Sequence, residues 1–518
     1  MGESNRLQDG LDPEPASAMK TSEVANVDVA VTNFDREKAK RMAKMVAIGG
    51  ALLGILYGYD QSNAGAAQNF FVENLVEPGS PWLITEGQSA TILAAVPYGI
   101  LFGCLIGSWP TDRLGRKKTT LGVAIGYVVF CIAQAAAFNF ASMLVARVLL
   151  GFTIGISLIC VPVFIAESAA TAKRGRVLVA YQLAGVIGII VAYLVAMAVI
   201  DMPYPWNWRI MFAVAAVPAI ILLPLIVRLP ETSRWLMMKG RREEAEAVLR
   251  SVDPDVDPTA TLDEIQAGID DESAGSLGQL LKRPFLRATI FLMIMGLLIQ
   301  VTGINAFVAY GSVILKDMGF NDFASFGINA AINTVSLVAV VFAMYYVDRW
   351  GRKPLIMGGF AVMAVGLVMM AIAFGTAVTT GSGSGTEYDF NTWQRVLALA
   401  GQTIGMAAFN FGVGGTVWAW ASESLPSHLR SYGATVLLAF DLLGNIFVIQ
   451  WFTALGNAIG AEMVWGMFAV LAIFGVFFVG KFAPETKGRD VDDVRKFWEN
   501  GGKWPAEDAA VSGSTSTR

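Results

Sequence analysis

The chain has 518 residues, of which 55% are hydrophobic and only 15% charged, with a mean hydropathy of +0.54. Soluble domains average roughly 25% charged residues, so lipid must cover much of this surface, and an ordinary soluble class is excluded. A formal net charge of −4 decides little, because orientation in a bilayer follows where Lys and Arg lie rather than their sum.

Residues 1–44 are polar, contain Pro13 and Pro15, and lack the short apolar core of a signal peptide. They read as a disordered cytosolic tail. A bilayer core takes about 20 apolar residues of helix, and stretches of that kind recur from there onward. Spans 1 to 6 are predicted at residues 45–71, 88–109, 119–138, 142–166, 177–200 and 209–228. The charged stretch 229–285, with Arg241 to Arg250 at helical spacing, reads as cytosolic linker helices. Spans 7 to 12 follow at 286–315, 324–347, 354–379, 394–422, 431–456 and 464–482. Gly381-Ser-Gly-Ser-Gly385 reads as a flexible external loop without function. Residues 483–518 read as a second polar cytosolic tail. The expected class is an all-α membrane protein: twelve transmembrane helices in two six-helix bundles, 45–228 and 286–482, joined by short linker helices.

Loop charge predicts the direction. Arg113, Arg116, Lys117 and Lys118 follow span 2, Lys173, Arg174 and Arg176 follow span 4, and Arg349, Arg352 and Lys353 follow span 8. The opposite loops carry mainly acids, among them Glu73, Glu77, Asp201, Glu387 and Asp389. The positive-inside rule then places both termini in the cytosol of a multi-pass cell-membrane protein.

The same charged phrase occurs twice: Asp112-Arg113-Leu-Gly115-Arg116-Lys117 and Asp348-Arg349-Trp-Gly351-Arg352-Lys353. Glu167 with Arg174 and Arg176 is echoed by Glu423 with Arg430, and Pro230-Glu231-Thr232 by Pro484-Glu485-Thr486. A membrane protein built of two similar halves works at the seam between them, which points to a transporter. Carboxylates facing guanidinium groups and helix N-termini clip neighbouring helices together. Asp112, Arg113, Arg116, Glu167, Arg174, Arg176, Glu231, Arg234, Asp348, Arg349, Arg352, Glu423, Arg430 and Glu485 are therefore candidates for a cytosolic gating network. Such pairs would latch that side while the outside is open. Anchoring of the arginines by the positive-inside rule alone is the simpler alternative.

At these residues the chain resembles the sugar porter branch of the major facilitator superfamily, over about residues 45 to 490. The phrases that carry the resemblance are Gly58-Tyr59-Asp60, the two Asp-Arg phrases, Arg147 with Gly151, Pro230-Glu-Thr-Ser-Arg234, Gly303-Ile-Asn305, Trp418 with Ser422-Glu423, and Pro484-Glu-Thr-Lys-Gly-Arg489. The resemblance implies two bundles that rock about a central site.

Charge inside a span is costly and marks function by default. Asp60 and Arg147 both fall in the outer half of the bilayer by depth, so they can pair and are the candidates for proton coupling. In the resemblance, the bacterial xylose–proton symporter has Asp at this position and mammalian facilitative carriers have Asn, which favours symport. A static ion pair that fixes helix packing is the alternative. Asp441 lies about ten residues into span 11 without a cation nearby in sequence. It is a candidate for binding substrate hydroxyls, carrying a second proton or pairing with a cationic substrate group, and a cytosol-facing or helix-pairing role is the alternative. Gln182, Gln300, Asn305, Trp418 and Asn445 complete the substrate site that the resemblance implies. Amides both donate and accept, and sugar rings pack on aromatic faces. Ile299 and Ala309 stand where the family has hydrogen-bonding side chains, which weakens glucose in particular as the substrate.

The expected function is a secondary transporter importing a sugar or polyol with a proton. A facilitative uniporter is the first alternative and a non-transporting sugar sensor the second. The single histidine, His428, excludes sites that need several imidazoles. Cys104, Cys131 and Cys160 lie within apolar runs and read as packing residues. Without a nucleophile–base pair or metal cluster in the sequence, neither enzyme activity nor a cofactor or metal is expected, and nucleic acid is not an expected partner.

Overall fold

A computed structural model describes residues 16–74, 86–168, 174–203, 205–252, 256–273, 277–283, 285–381, 386–489 and 491–504. Among them, eleven helical stretches are long and apolar enough to cross a membrane, and residues 183–199 form a shorter apolar helix. That shorter piece belongs to span 5, Arg174–Val199, so the described helices follow the expected order. The protein is an all-α membrane fold. In the first half the helices that carry the spans are Ala16–Asn74, which crosses over Lys40–Gln68, then Glu86–Leu114, Arg116–Ala135, Phe140–Ser168, Arg174–Val199, and Trp206–Val214 continued by Val217–Arg228. In the second they are Leu286–Val301 with Ile304–Asp317, Asp322–Trp350, Arg352–Thr376, Thr392–Ala408 with Thr416–Glu423, Ser427–Ile459 and Ala461–Phe482. Between the halves lie four shorter helices, Ser233–Met238, Arg242–Val252, Pro258–Ser273 and Leu277–Leu280.

Apolar side chains gain little by leaving lipid for one another, so spans associate through close packing of small residues. Spans 2 and 4 show this. A Cβ on Gly103 would lie 2.2 Å from the Phe152 carbonyl oxygen, and one on Gly155 would lie 2.3 Å from that of Ile100. The backbones touch where both sequences place glycines four residues apart. Cys104, Cys131 and Cys160 are buried and free, in keeping with packing.

Three features differ from the sequence expectation. Span 1 is helical from Ala16, so residues 16–44 are not an irregular tail as far as they are described. Pro13 and Pro15 precede this stretch, and from Ala16 to Met45 it contains neither Pro nor Gly to stop a helix. Residues 483–518 are not wholly a polar tail either. Val491–Glu499 is an amphipathic helix that buries Val494, Phe497 and Trp498 against the second half, and Trp498 Nε1 donates to the Ser424 carbonyl at 3.0 Å. The loop after span 9 is flanked by two short antiparallel strands, Val378–Thr380 and Glu387–Asp389, with Thr379 opposite Tyr388. Residues 382–385 at its tip lie outside the described residues.

Candidate functional site

The repeated phrases assemble into the same cluster in each half. Arg116 is buried; its guanidinium donates to Asp112 at 3.0 Å, to Glu167 at 3.1 Å and to the Thr111 carbonyl at 3.2 Å. Arg234 Nε lies 3.7 Å from Glu167. Glu231 accepts from the Lys117 backbone N–H at 3.1 Å, at the N-terminus of span 3, where the helix dipole favours a carboxylate. In the second half Arg352 pairs with Asp348 at 3.1 Å and Glu423 at 2.9 Å, and Glu485 accepts from the Arg352 and Lys353 N–H groups at 3.1 Å each. Gly115 and Gly351 turn the chain with φ of 102° and 94°, and a Cβ there would come within 2.2 Å and 2.7 Å of the Glu231 and Glu485 carboxylates. Only glycine meets both demands.

Each of these ion pairs stays within its own half, so none of them joins the halves into a latch. Arg113, Arg349 and Arg430 stand apart from the clusters and are exposed; Arg113 lies over the Trp109 ring at 5.2 Å and Arg349 over Tyr345 at 3.9 Å. The side chains of Arg174, Arg176 and Gln182 lie outside the described residues. Sequence reasoning missed Thr232 and Thr486, whose hydroxyls donate to Glu167 at 2.7 Å and Glu423 at 2.5 Å. Their duplication within Pro-Glu-Thr was the available signal.

The second polar centre is at a break in span 7. Gly303 has φ of 87° and separates Leu286–Val301 from Ile304–Asp317, leaving Gln300 and Asn305 on either side of an interrupted helix. Asn305 Nδ2 donates to Gln300 Oε1, and Gln300 Nε2 donates to Asp441 Oδ1 at 2.7 Å. A one-way chain of donors therefore ends on a carboxylate. Gly296 lets spans 7 and 11 meet here: a Cβ on it would sit 2.5 Å from the Leu437 carbonyl. Asn445, one turn beyond Asp441, is buried with its Oδ1 unpartnered. Trp418 is partly buried and packs on the apolar cluster of the second half, without a described hydrogen bond to this chain. Leu442, the residue after Asp441, packs with Ile100 and Cys104 of the first half, so the centre borders the seam.

Asp60 and Arg147 are both buried but form no ion pair among the described residues, contrary to the depth argument. Arg147 Nε donates to the Ile92 carbonyl at 2.7 Å and Nη1 to Gln134 Oε1 at 3.1 Å. These neutral acceptors, which the sequence did not suggest, hold the guanidinium away. One turn past Asp60, Asn63 is fully buried with neither amide atom partnered; a buried amide within a span was the signal for it.

On the face opposite the arginine loops the halves are sealed. A Cβ on Gly65 would lie 2.2 Å from the Ala309 carbonyl, and Ser312 Oγ donates to the Gly65 carbonyl at 3.0 Å. Phe70 and Phe326 rings lie 6.0 Å apart, and Gln450 Nε2 donates to Thr91 at 3.3 Å. On the arginine face the buried residues of span 8 end at Ser336, and the stretch to Trp350 is partly or fully exposed.

Residues 46–498 match the family described as sugar (and other) transporter. The chain belongs to that family. The transporter is 28% identical over 459 residues to an arabinose-proton symporter of Bacillus subtilis, covering 88% of this chain and 94% of the relative. It is 30% identical over 456 residues to the glucose transporter GlcP of Staphylococcus epidermidis, covering 87% and 96%. Its backbone resembles the inward open conformation of the xylose transporter XylE from E. coli, with a TM-score of 0.74, 23% identity and coverage of 88% and 100%. That likeness shows the major facilitator fold of a multi-pass membrane protein.

Proposed function

We propose that this transporter imports a sugar or polyol together with a proton by alternating access. The observation that carries the proposal is the buried donor chain from Asn305 through Gln300 to Asp441, at an interrupted helix beside the seam of a two-half fold. Interrupted helices at the midplane offer polar groups to a solute where continuous helices cannot. Family membership, and relatives named as arabinose-proton and glucose transporters, support a sugar as cargo.

In this reading the arginine-rich loops and both termini face the cytosol, and the sealed opposite face makes this the inward-facing form. Asn305, Gln300, Asp441 and Asn445 hold the hydroxyls, with Gln182 and Trp418 completing the cavity. Asp60 carries the coupling proton. Because Arg147 is held by Gln134 and the Ile92 carbonyl, the carboxylate has no fixed cation clamped to it and is free to exchange its proton as the bundles rock. The two arginine clusters make each half move as a unit. Counterflow in proteoliposomes, with a panel of radiolabelled pentoses, hexoses, polyols and sugar acids, tests the cargo. A neutral sugar or polyol should exchange across the membrane. Exchange of none of them, or of sugar acids alone, would reject the reading.

A further inference from the structure

On the sealed face, beyond the contact of Gly65 with Ala309, the second half lines a partly open pocket of about 290 Å³. It lies past the gate rather than at the break in span 7, and none of Gln300, Asn305, Asp441 or Asn445 lines it. Tyr310, Phe452 and Trp465 supply aromatic walls, and Tyr388 of the hairpin after span 9 supplies another. The hairpin is fixed in place: the Tyr388 ring packs on Phe374 with centroids 5.2 Å apart, and its hydroxyl accepts from the Ala461 N–H at 3.5 Å at the start of span 12. Lys316 and Asp317 contribute one charge of each sign to the lining, which suits a neutral guest.

Span 1 contributes Gln68, a residue of the other half. Gln68 is 9% exposed, and its Oε1 is buried without a hydrogen-bond partner. A buried acceptor left unmet is costly, and a donor brought by a guest would remove that cost. Aromatic faces pack on the C–H faces of a sugar ring while hydroxyls reach amide and hydroxyl groups at its edge. The volume lies at the lower edge of the roughly 300–1,000 Å³ of sites for drug-sized ligands, so it fits a monosaccharide-sized molecule.

We propose that this chamber is a second solute site, separate from the central one, which takes a small neutral polyhydroxylated molecule. Its walls come from the second half, with Gln68 alone from the first, so the unmet acceptor is in place only while this face is sealed. A guest therefore binds the sealed conformation preferentially and shifts the population toward it. The inference goes beyond the transport reading and does not need the guest to be the cargo.

Equilibrium dialysis of purified full-length protein tests it, with radiolabelled D-glucose, D-xylose, myo-inositol and glycerol as probes. The double variant Gln300→Ala/Asn305→Ala removes the central site and should still bind about one equivalent of at least one probe. Adding Gly456→Phe fills the chamber, because a Cβ at Gly456 meets nothing within 4 Å. Adding Gln68→Leu instead removes the acceptor. Each should weaken binding by about ten-fold or more, with an unchanged unfolding temperature. Loss of all binding in the double variant, retention of binding when the chamber is filled, or no binding of any probe would overturn the proposal. Uptake by the wild type, measured in parallel, shows separately whether the transport reading stands.

Discussion

Asp441→Ala is the sharpest local perturbation of the central site. Gln300 Nε2 donates to the Asp441 carboxylate at 2.7 Å, and both side chains are buried. A hydrogen bond to a charged group is worth about 1.5–3 kcal/mol, and the Gln300 amide would be left unmet or free to turn. Turning breaks the direction of the chain, because the Gln300 oxygen then no longer faces Asn305. Loss of that pre-organisation should raise the KM for cargo by about 10- to 150-fold, taking about 1.4 kcal/mol per factor of ten. Asp441→Asn keeps an acceptor and removes the charge, so its cost should be smaller, about three- to ten-fold. Initial uptake rates in proteoliposomes read the KM, and thermal unfolding in detergent checks the fold. A folded Asp441→Ala protein with wild-type KM would refute the reasoning and leave Asp441 as a helix-pairing residue.

Arg116→Ala should destabilise the protein more than Arg352→Ala. The Arg116 and Glu167 side chains are 6% and 12% exposed, whereas those of Arg352 and Glu423 are 16% and 34% exposed. Breaking a buried pair strands a charge at a cost of about 3–5 kcal/mol, and unfolding temperatures of the two variants in detergent compare them. Gly103→Leu should abolish the monodisperse peak on size exclusion, because the Phe152 carbonyl occupies the space of its Cβ, while Gly466→Ala, with nothing within 4 Å of the added atom, should elute as wild type. Gly65→Leu should keep the protein folded but stop transport, because spans 1 and 7 can no longer meet at Ala309. Uptake together with thermal unfolding separates that block from misfolding.

The spans were legible because a bilayer imposes length and apolarity on every crossing helix; most predicted ends fall within a few residues of the observed ones. The arginine clusters were legible for another reason: duplication put the same residues at the same place in both halves. Where contacts depended on distant partners the sequence was mute. Gln300 and Asp441 are 141 residues apart, and nothing local announces that they bond. Depth alone put Asp60 beside Arg147, but could not see that Gln134 and a backbone carbonyl would take up the guanidinium. Pairing of acids with arginines suggested a latch for the form open to the outside; in this inward-facing form each described pair lies inside its own half. The helix Val491–Glu499 was hidden by the polar composition around it, although Val494, Phe497 and Trp498 lie on one helical face.

The central claim is that Asp60 exchanges a proton with one side of the membrane at a time and so drives uptake. Proteoliposomes loaded with neutral buffer and diluted into acidic medium should accumulate labelled cargo above the external concentration. Asp60→Asn vesicles should reach only equilibrium while still exchanging cargo across the membrane. Equal accumulation by the two proteins, or no response of the wild type to the gradient, would contradict the account.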